Sequence, residues 1–236
     1  MHFTDMIAVL SETTAGPFLS RLRTRMLSTP SGRSLLRERP RITEESVDLA
    51  RLGNMKEGTL GREYVKWLKT NKVTPDTRDP VSSNTRLAER FLMIRLQVRY
   101  IDDPELAYIM QRYRESHDFY HVLLGPFGVS ISGEMVVKWF ELANFNLPVA
   151  LLSSVFGPLR LEASERRRLF DTYGTWALRC GGHAQCLIGI EWEKEWEKDI
   201  TVLRRELGIW QPPVPFKEYR AEGRRLKAER KAREGL

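Results

Sequence analysis

Two of the four histidines in this 236-residue chain are spaced so that they could bind one metal ion. His117 and His121 are four residues apart, which places both imidazoles on one face of a helix. Asp118 lies between them, and Glu134 follows at the start of the next predicted helix. Imidazole nitrogens and carboxylate oxygens are common zinc ligands. The alternative is a pair of core histidines whose ring nitrogens bond to Asp118 and Glu134, and the residues alone leave both interpretations open.

The helix that carries the two histidines has recognisable ends. Asp103 is a good N-cap, Pro104 suits the first helical position, and Gly125 can end the helix with a positive φ. The pattern therefore predicts a helix from Pro104 to Leu124. The histidines continue its apolar stripe, and its polar residues are predicted to lie on the other faces: Gln111, Arg112, Arg114 and Glu115.

A second helix, from about Ser132 to Phe145, is predicted to return antiparallel after the turn Gly125–Gly128. It carries Glu134 in its first turn, where the helix dipole favours a carboxylate. The periodicity predicts an all-α fold: a single globular multi-helix domain with a metal site between two core helices. Only residues 185–190 are ambiguous, and the other helices are predicted at 3–10, 17–26, 59–69, 148–156, 164–179 and 191–207.

The run from His117 to His121, followed by Gly133 and Glu134, resembles the HDxxH…GE motif of the coenzyme Q (ubiquinone) biosynthesis protein 4 family of mitochondria. Further stretches agree with the family in the same order, and the series reaches to about Pro213. These stretches are Glu38–Ile42, Gly61–Tyr64, Pro75–Arg78, Glu105–Tyr108, Val137–Glu141 and Gly157–Leu161. Each short stretch is weak evidence, whereas the ordered series is specific.

The resemblance implies a helical, metal-binding protein at the matrix side of the mitochondrial inner membrane, held there peripherally within a complex of ubiquinone-synthesis enzymes. The implied activity is that of a carboxy-lyase, which removes the C1 carboxyl group of 4-hydroxy-3-methoxy-5-polyprenylbenzoate and yields 2-methoxy-6-polyprenylphenol. The implied metal is a divalent cation, with Zn²⁺ as the usual assignment. Its implied ligands are His117, Asp118, His121 and Glu134.

Decarboxylation needs a proton at C1, and Asp118 or a metal-bound water is the candidate acid. Arg160 could pair with the substrate carboxylate, although an arginine at a helix end with no ligand role is the alternative. An oxidative variant of the reaction would need oxygen and a redox-active metal, and the sequence does not choose between the two. A non-catalytic organiser that binds lipid precursors within the complex is the alternative function.

Residues 81–97 form an insert where the family joins its blocks almost directly. One interpretation is an amphipathic surface helix, and the other is a retained intron. The spacing from His121 to Glu134 is also one residue longer than the family usually shows, which makes the assignment of Glu134 less secure than that of the histidines.

The charge of +7 is concentrated in the C-terminal tail, residues 214–236, which follows the predicted ubiquinone-biosynthesis domain of residues 1–213. Such a tail is typical of a solvated helix or a disordered segment, and binding to anionic lipid is the sharper interpretation. Nucleic acid is not expected as a partner, because no aromatic residues are interleaved with the charges. No apolar stretch approaches the length of a membrane span.

Only two cysteines occur, which indicates a reducing compartment without a disulfide framework. Cys180, His183 and Cys186 resemble half a zinc site, but an obvious fourth ligand is missing. Asp5 and Glu12 come too early for a mitochondrial transit peptide, so we expect that a targeting segment is not part of this chain.

Overall fold

The computed structural model describes residues 12–75, 98 and 100–234. These residues form eleven α-helices and no β-sheet, which confirms the all-α prediction. The predicted helix at 3–10 and the insert 81–97 lie outside the described residues. The helices are α1 Gly16–Leu27, α2 Pro30–Glu38, α3 Leu49–Gly53, α4 Leu60–Asn71, α5 Pro104–Leu124, α6 Ile131–Phe145, α7 Pro148–Phe156, α8 Ala163–Leu169, α9 Thr175–His183, α10 Ile200–Leu207 and α11 Phe216–Glu234.

Helix α5 is the centre of the fold, and its ends are those that the sequence predicts. The Asp103 carboxylate accepts the backbone N–H groups of Glu105, at 2.8 Å, and Leu106, at 3.1 Å. Gly125 ends the helix with a φ of 130°, a conformation that favours glycine. Helices α1, α2, α4 and α6 pack around α5, so nearly every residue from Tyr108 to Leu124 is buried.

The prediction that Gln111, Arg112, Arg114 and Glu115 lie outside the core is wrong. Partners from distant segments neutralise the three charged residues, and the Gln111 amide bonds to Glu115, so that all four can be buried. Arg112 is fully buried and forms two hydrogen bonds to the Glu193 carboxylate, at 2.5 and 2.9 Å. The Glu115 carboxylate accepts from the Arg41 side chain, the Ile42 backbone and the Gln111 amide. Arg114 pairs with buried Glu12 at 2.7 Å.

Helix α6 is held against α9 by close backbone approach. A Cβ at Gly181 of α9 would lie 2.3 Å from the Phe140 carbonyl oxygen, so only glycine fits there. The Asn144 amide donates to the carbonyls of Gly181 and Gln185, both at 2.9 Å, and its oxygen accepts from the Leu187 backbone at 3.1 Å. These contacts fix the position of α6, which carries Glu134.

Two helix predictions need correction in the second half of the chain. The helix predicted at 164–179 continues to His183 and contains one π-helical turn, Phe170–Gly174. The helix predicted at 191–207 is interrupted, because the carbonyls of Trp196 and Lys198 accept from the first turn of α4 at 2.9 Å each. Only α10 remains of it, besides a short 3-10 turn. Residues 187–189 form another 3-10 turn rather than a strand, and helices α2 and α3 were not predicted.

The surface contains one unusually apolar helix and one unusually basic helix. Only Ala150 of α7 is buried, whereas apolar side chains are at least half exposed on α7 and the turn after it: Leu151, Val155, Phe156 and Leu159. The basic tail forms helix α11, which contacts α8 through the Arg168 guanidinium, 3.7 Å from the centre of the Tyr219 ring. None of the described helices combines the length and apolarity needed to cross a bilayer.

Candidate metal centre

Three of the four predicted ligands converge between α5 and α6. The Nε2 atoms of His117 and His121 are 3.1 Å apart. One Glu134 oxygen lies 3.2 Å from Nε2 of His117, and the other lies 3.3 Å from Nε2 of His121. The turn after α5 brings Glu134 back to the histidines, and the Ser130 hydroxyl accepts from the Gly133 backbone where α6 begins. A metal-binding group therefore exists between two core helices, as predicted.

Hydrogen bonds at the far side of each ring fix the tautomer of both histidines. Nδ1 of His117 lies 2.5 Å from a Glu141 carboxylate oxygen, and Nδ1 of His121 lies 3.0 Å from the Phe127 carbonyl oxygen. Both oxygens can only accept, so we infer that each Nδ1 carries a proton. Each Nε2 then faces Glu134, at a position where either a proton or a metal ion can bind.

Glu141 is the centre of a buried polar network behind His117. Its side chain is fully buried and accepts from three groups: His117 at 2.5 Å, the Lys138 ammonium at 2.6 Å and the Tyr113 hydroxyl at 2.6 Å. Lys138 also donates to the Tyr113 hydroxyl oxygen at 3.1 Å. The Glu141 carboxylate is thus balanced by one full positive charge and two neutral donors.

Trp67 supports His121 in a similar way, through the loop between the two helices. Its indole N–H donates to the Phe127 carbonyl at 2.6 Å, the same oxygen that accepts from His121. The Trp67 and His121 rings also lie against each other, with centroids 5.0 Å apart. Helix α4 therefore helps to orient His121 of α5 without adding a donor to the converging group.

The electrostatics of the centre favour a cation. Burial disfavours the Glu134 carboxylate, but the imidazoles of His121 and His117 outweigh burial and hold the pKa of Glu134 well below its usual range. Burial and the Lys138 charge disfavour a second proton on His117, yet Glu141 and Glu134 prevail and raise its pKa. For Glu141, burial is outweighed by Lys138 and His117, and the pKa falls to about 2. Two carboxylates are thus ionised around the imidazoles at neutral pH.

The donor set fits a divalent metal such as zinc. Ligands about 2.0 to 2.2 Å from a tetrahedral ion are roughly 3.3 Å from one another, and the three contacts here measure 3.1, 3.2 and 3.3 Å. Without a cation, two Nε2 atoms 3.1 Å apart need a shared proton, which a metal would replace. Three protein ligands also leave one coordination position for a further ligand, as in catalytic zinc sites.

The remaining predicted site residues lie outside this group. Asp118 is half-buried and is not among the converging donors. Arg160 is exposed at the end of the 3-10 turn Gly157–Arg160. Cys180 and His183 belong to no metal-binding group in the described part of the chain: the buried Cys180 sulfur accepts from the Trp210 backbone at 3.3 Å, and His183 stacks on the Trp210 ring.

Sequence analysis missed the residues that support the ligands. In the sequence, Lys138 and Glu141 belong to the family-like stretch Val137–Glu141, and Tyr113 follows the apolar periodicity of α5. A signal was present, because Glu134, Lys138 and Glu141 are spaced by four and three residues and share one face of α6. Trp67 offered no comparable signal, since its hydrogen-bonded link to His121 runs through the Phe127 backbone carbonyl rather than through a side chain.

Comparison with known proteins identifies the family. The family model described as coenzyme Q (ubiquinone) biosynthesis protein Coq4 matches residues 2–213. The chain is similar to the mitochondrial ubiquinone biosynthesis protein COQ4 of Coprinopsis cinerea, with 50% identity over 209 residues that cover 89% of this chain and 66% of the relative. The homologous protein of Danio rerio is 45% identical over 210 residues, which cover 89% of this chain and 71% of the relative.

A solved structure gives the same fold independently. The structure of a Nostoc punctiforme protein, provisionally named for ubiquinone biosynthesis, superimposes with a TM-score of 0.58 at 22% identity, and 81% of each chain is covered. The chain spans about two thirds of the length of its first curated relatives. On the match over residues 2–213 and the identity to the curated relatives, the chain belongs to the Coq4 family of coenzyme Q (ubiquinone) biosynthesis proteins.

Proposed function

We propose that the chain is a metal-dependent carboxy-lyase of ubiquinone biosynthesis. Its substrate would be 4-hydroxy-3-methoxy-5-polyprenylbenzoate, and its product 2-methoxy-6-polyprenylphenol. The observation that carries this proposal is a pair of imidazoles whose tautomers are fixed by hydrogen bonds at Nδ1. Together with Glu134 they form a group of three donors, which would leave one coordination position of a metal ion for the substrate. Family membership supports the pathway, and the donor set supports metal-assisted chemistry on an oxygen-bearing substrate.

Access to the centre is from the side of Glu134. The His121 side chain is fully buried and that of His117 is 10% exposed, whereas that of Glu134 is 29% exposed. An incoming carboxylate would therefore meet the centre beside Glu134. When bound, Zn²⁺ would supply a positive charge that holds and polarises the substrate carboxylate. His117, His121 and Glu134 would hold the ion.

The reaction needs one proton for each carbon dioxide released. A proton is delivered to C1 of the ring, the bond from C1 to the carboxyl carbon breaks, and its electron pair restores the aromatic ring. We propose Asp118 as the acid and as a fourth protein ligand, because it lies next to His117 in the chain and is half-buried; the substrate carboxylate would then be a fifth ligand. Arg160 is proposed to pair with the substrate carboxylate on approach, since its guanidinium is exposed.

A second candidate function is that of a non-catalytic organiser that binds lipid precursors for the other enzymes of the complex. The observation that favours it is the exposed apolar surface of α7, with Val155 and Phe156 each 55% exposed. The same surface suits peripheral contact with the mitochondrial inner membrane from the matrix side, which we propose as the location. Curated relatives are named mitochondrial proteins.

The test measures metal content and turnover on the same purified samples. The full chain is compared with His117→Ala/His121→Ala, and His183→Ala serves as the control because His183 stacks on Trp210 away from the centre. The substrate is a short-chain prenylated hydroxy-methoxybenzoate, and both carbon dioxide and the ring product are measured. We expect stoichiometric metal and turnover in the wild type and in His183→Ala, and neither in the double variant.

Other results would assign other functions. Metal without turnover, together with binding of the prenylated compound, would support the organiser. Purified wild-type protein without bound metal would show that both histidines are hydrogen-bonded core residues and not metal ligands. A hydroquinone product in place of the phenol, formed only with oxygen, would show the oxidative variant and point to a redox-active metal.

A further inference from the structure

A groove about 820 Å³ in volume lies between α4, α10 and α11, and none of the three converging groups His117, His121 and Glu134 lines it. Five basic side chains line it, which we call the basic groove: Lys66, Arg204, Lys217, Arg220 and Arg224. Among the described residues, Glu63 is the one acidic residue that lines it. The volume is that of a site for a small ligand rather than for a folded partner.

Most of the positive charge in the basic groove is not neutralised by the protein. Lys217, Arg220 and Arg224 occur at helical spacing on one face of α11, and no ion pair is found for them among the described residues. Lys66 lies 3.4 Å from Glu63. Helix α11 therefore presents a row of unpaired cations along one wall of the groove.

Arg204 also lines the groove, and within the described ranges its hydrogen bonds go to backbone carbonyls rather than to a carboxylate. Its Nε and Nη2 atoms donate to the carbonyls of Leu123, at 2.6 Å, and Val122, at 3.1 Å, at the end of α5. Burial lowers the pKa of the Arg204 guanidinium. A partly desolvated cation of this kind gains from an anion placed in the groove.

The lining of the basic groove also contains apolar side chains. Trp67 of α4 and Phe216 of α11 are both buried and line it, together with Val122 and Ile200. A phosphate or other small polar anion would use the cations but would leave this apolar surface without contacts. A ligand that carries both an anionic group and a hydrocarbon chain would use both.

We propose that the basic groove binds an anionic phospholipid, with the phosphate against Arg220, Arg224 and Arg204 and the start of an acyl chain along the apolar lining. Charge complementarity and the mixed lining carry this proposal, which does not depend on any metal chemistry. Most of the cations lie on α11, beyond residue 213 where the family match ends.

The test compares two double variants of the full chain that lose the same charge from the same helix. Arg220→Gln/Arg224→Gln removes two cations of the groove, whereas Arg225→Gln/Lys231→Gln removes two exposed cations that do not line it. Binding is measured by co-sedimentation with phosphatidylcholine vesicles, with and without phosphatidylglycerol. Inorganic phosphate is added as a competitor, and metal content is recorded for each sample.

We expect binding only to vesicles that contain phosphatidylglycerol, about thirtyfold weaker for the groove variant and much less affected in the control variant. Equal losses in the two variants would overturn the proposal in favour of unspecific attraction by the tail. Displacement by millimolar inorganic phosphate would overturn it in favour of a simple anion site. Unchanged binding of the groove variant would exclude the basic groove altogether.

Discussion

Replacing Glu141 by glutamine is the sharpest test of how the metal centre is built. The substitution keeps the size of the side chain but removes the charge that His117, Lys138 and Tyr113 share. The glutamine oxygen can replace the carboxylate oxygen that faces His117 or the one shared by Lys138 and Tyr113, whereas the amide NH₂ cannot accept at the other position. Lys138, whose side chain is only 14% exposed, then has no carboxylate partner at bonding distance.

The magnitude follows from the burial of this pair. Breaking a buried ion pair from one side typically costs about 3 to 5 kcal/mol. For a domain of this size, about 3 kcal/mol lowers the melting temperature by roughly 6 to 12 °C. The loss of an outer carboxylate behind a histidine ligand weakens metal binding by about 10-fold to 100-fold.

The assay combines thermal unfolding with a competitive zinc titration against a chromogenic chelator. Glu115→Gln is the matched control, because Glu115 is also a buried glutamate of the core with three hydrogen bonds, none of them to a metal ligand. We expect both variants to lose stability, and only Glu141→Gln to lose zinc affinity. If Glu141→Gln keeps wild-type zinc affinity, or if both variants lose affinity equally, Glu141 does not position His117.

Three further predictions concern pH and packing. The Glu141 pKa of about 2 lies below its usual 4.5, so its contribution of about 3 kcal/mol to the free energy of unfolding is present above pH 4.5 and is lost as the pH falls toward 2. Denaturant titrations at a series of pH values should show that the free energy of unfolding falls less steeply with decreasing pH in Glu141→Gln than in the wild type. Identical slopes would contradict this. Gly181→Ala should lower the free energy of unfolding by at least about 2 kcal/mol, because the new Cβ would lie 2.3 Å from the Phe140 carbonyl oxygen at the α6–α9 contact. The neighbouring Gly182→Ala is the control: its Cβ would have nothing within 4 Å, so the change should be neutral or stabilising by less than about 1 kcal/mol. Glu193→Gln should cost about 3 kcal/mol through the buried Arg112 without a change in zinc content; a loss of zinc would show that this pair also supports the centre.

The sequence predicts the central helix and the convergence of the ligands because both depend on local rules. Asp103, Pro104 and Gly125 define the ends of α5, and the four-residue spacing of the histidines defines their common face. The fold class follows from the same periodicity. Where a feature depends on a partner far away in the chain, these rules fail.

Arg112 and Glu141 illustrate that failure. A charged residue in a helix is normally assigned to the solvent side. Arg112 is acceptable in the core because of distant Glu193, and Glu141 is held there by Tyr113 and His117 of α5 as well as by Lys138. The interruption before α10 has a similar cause, because the backbone of Trp196 and Lys198 is used by the start of α4. Neither partner can be identified from periodicity.

The Phe127 carbonyl accepts from both Trp67 and His121, and it has an evolutionary consequence. Every amino acid brings the same carbonyl to this position, so the group that orients His121 leaves no trace in residue identity. Substitution of the Phe127 side chain would test packing against Tyr173 and Phe216 but not this contact. Selection on this part of the centre therefore acts on the path of the loop after α5, and a change in loop length is acceptable where it leaves the Phe127 carbonyl beside Trp67 and His121.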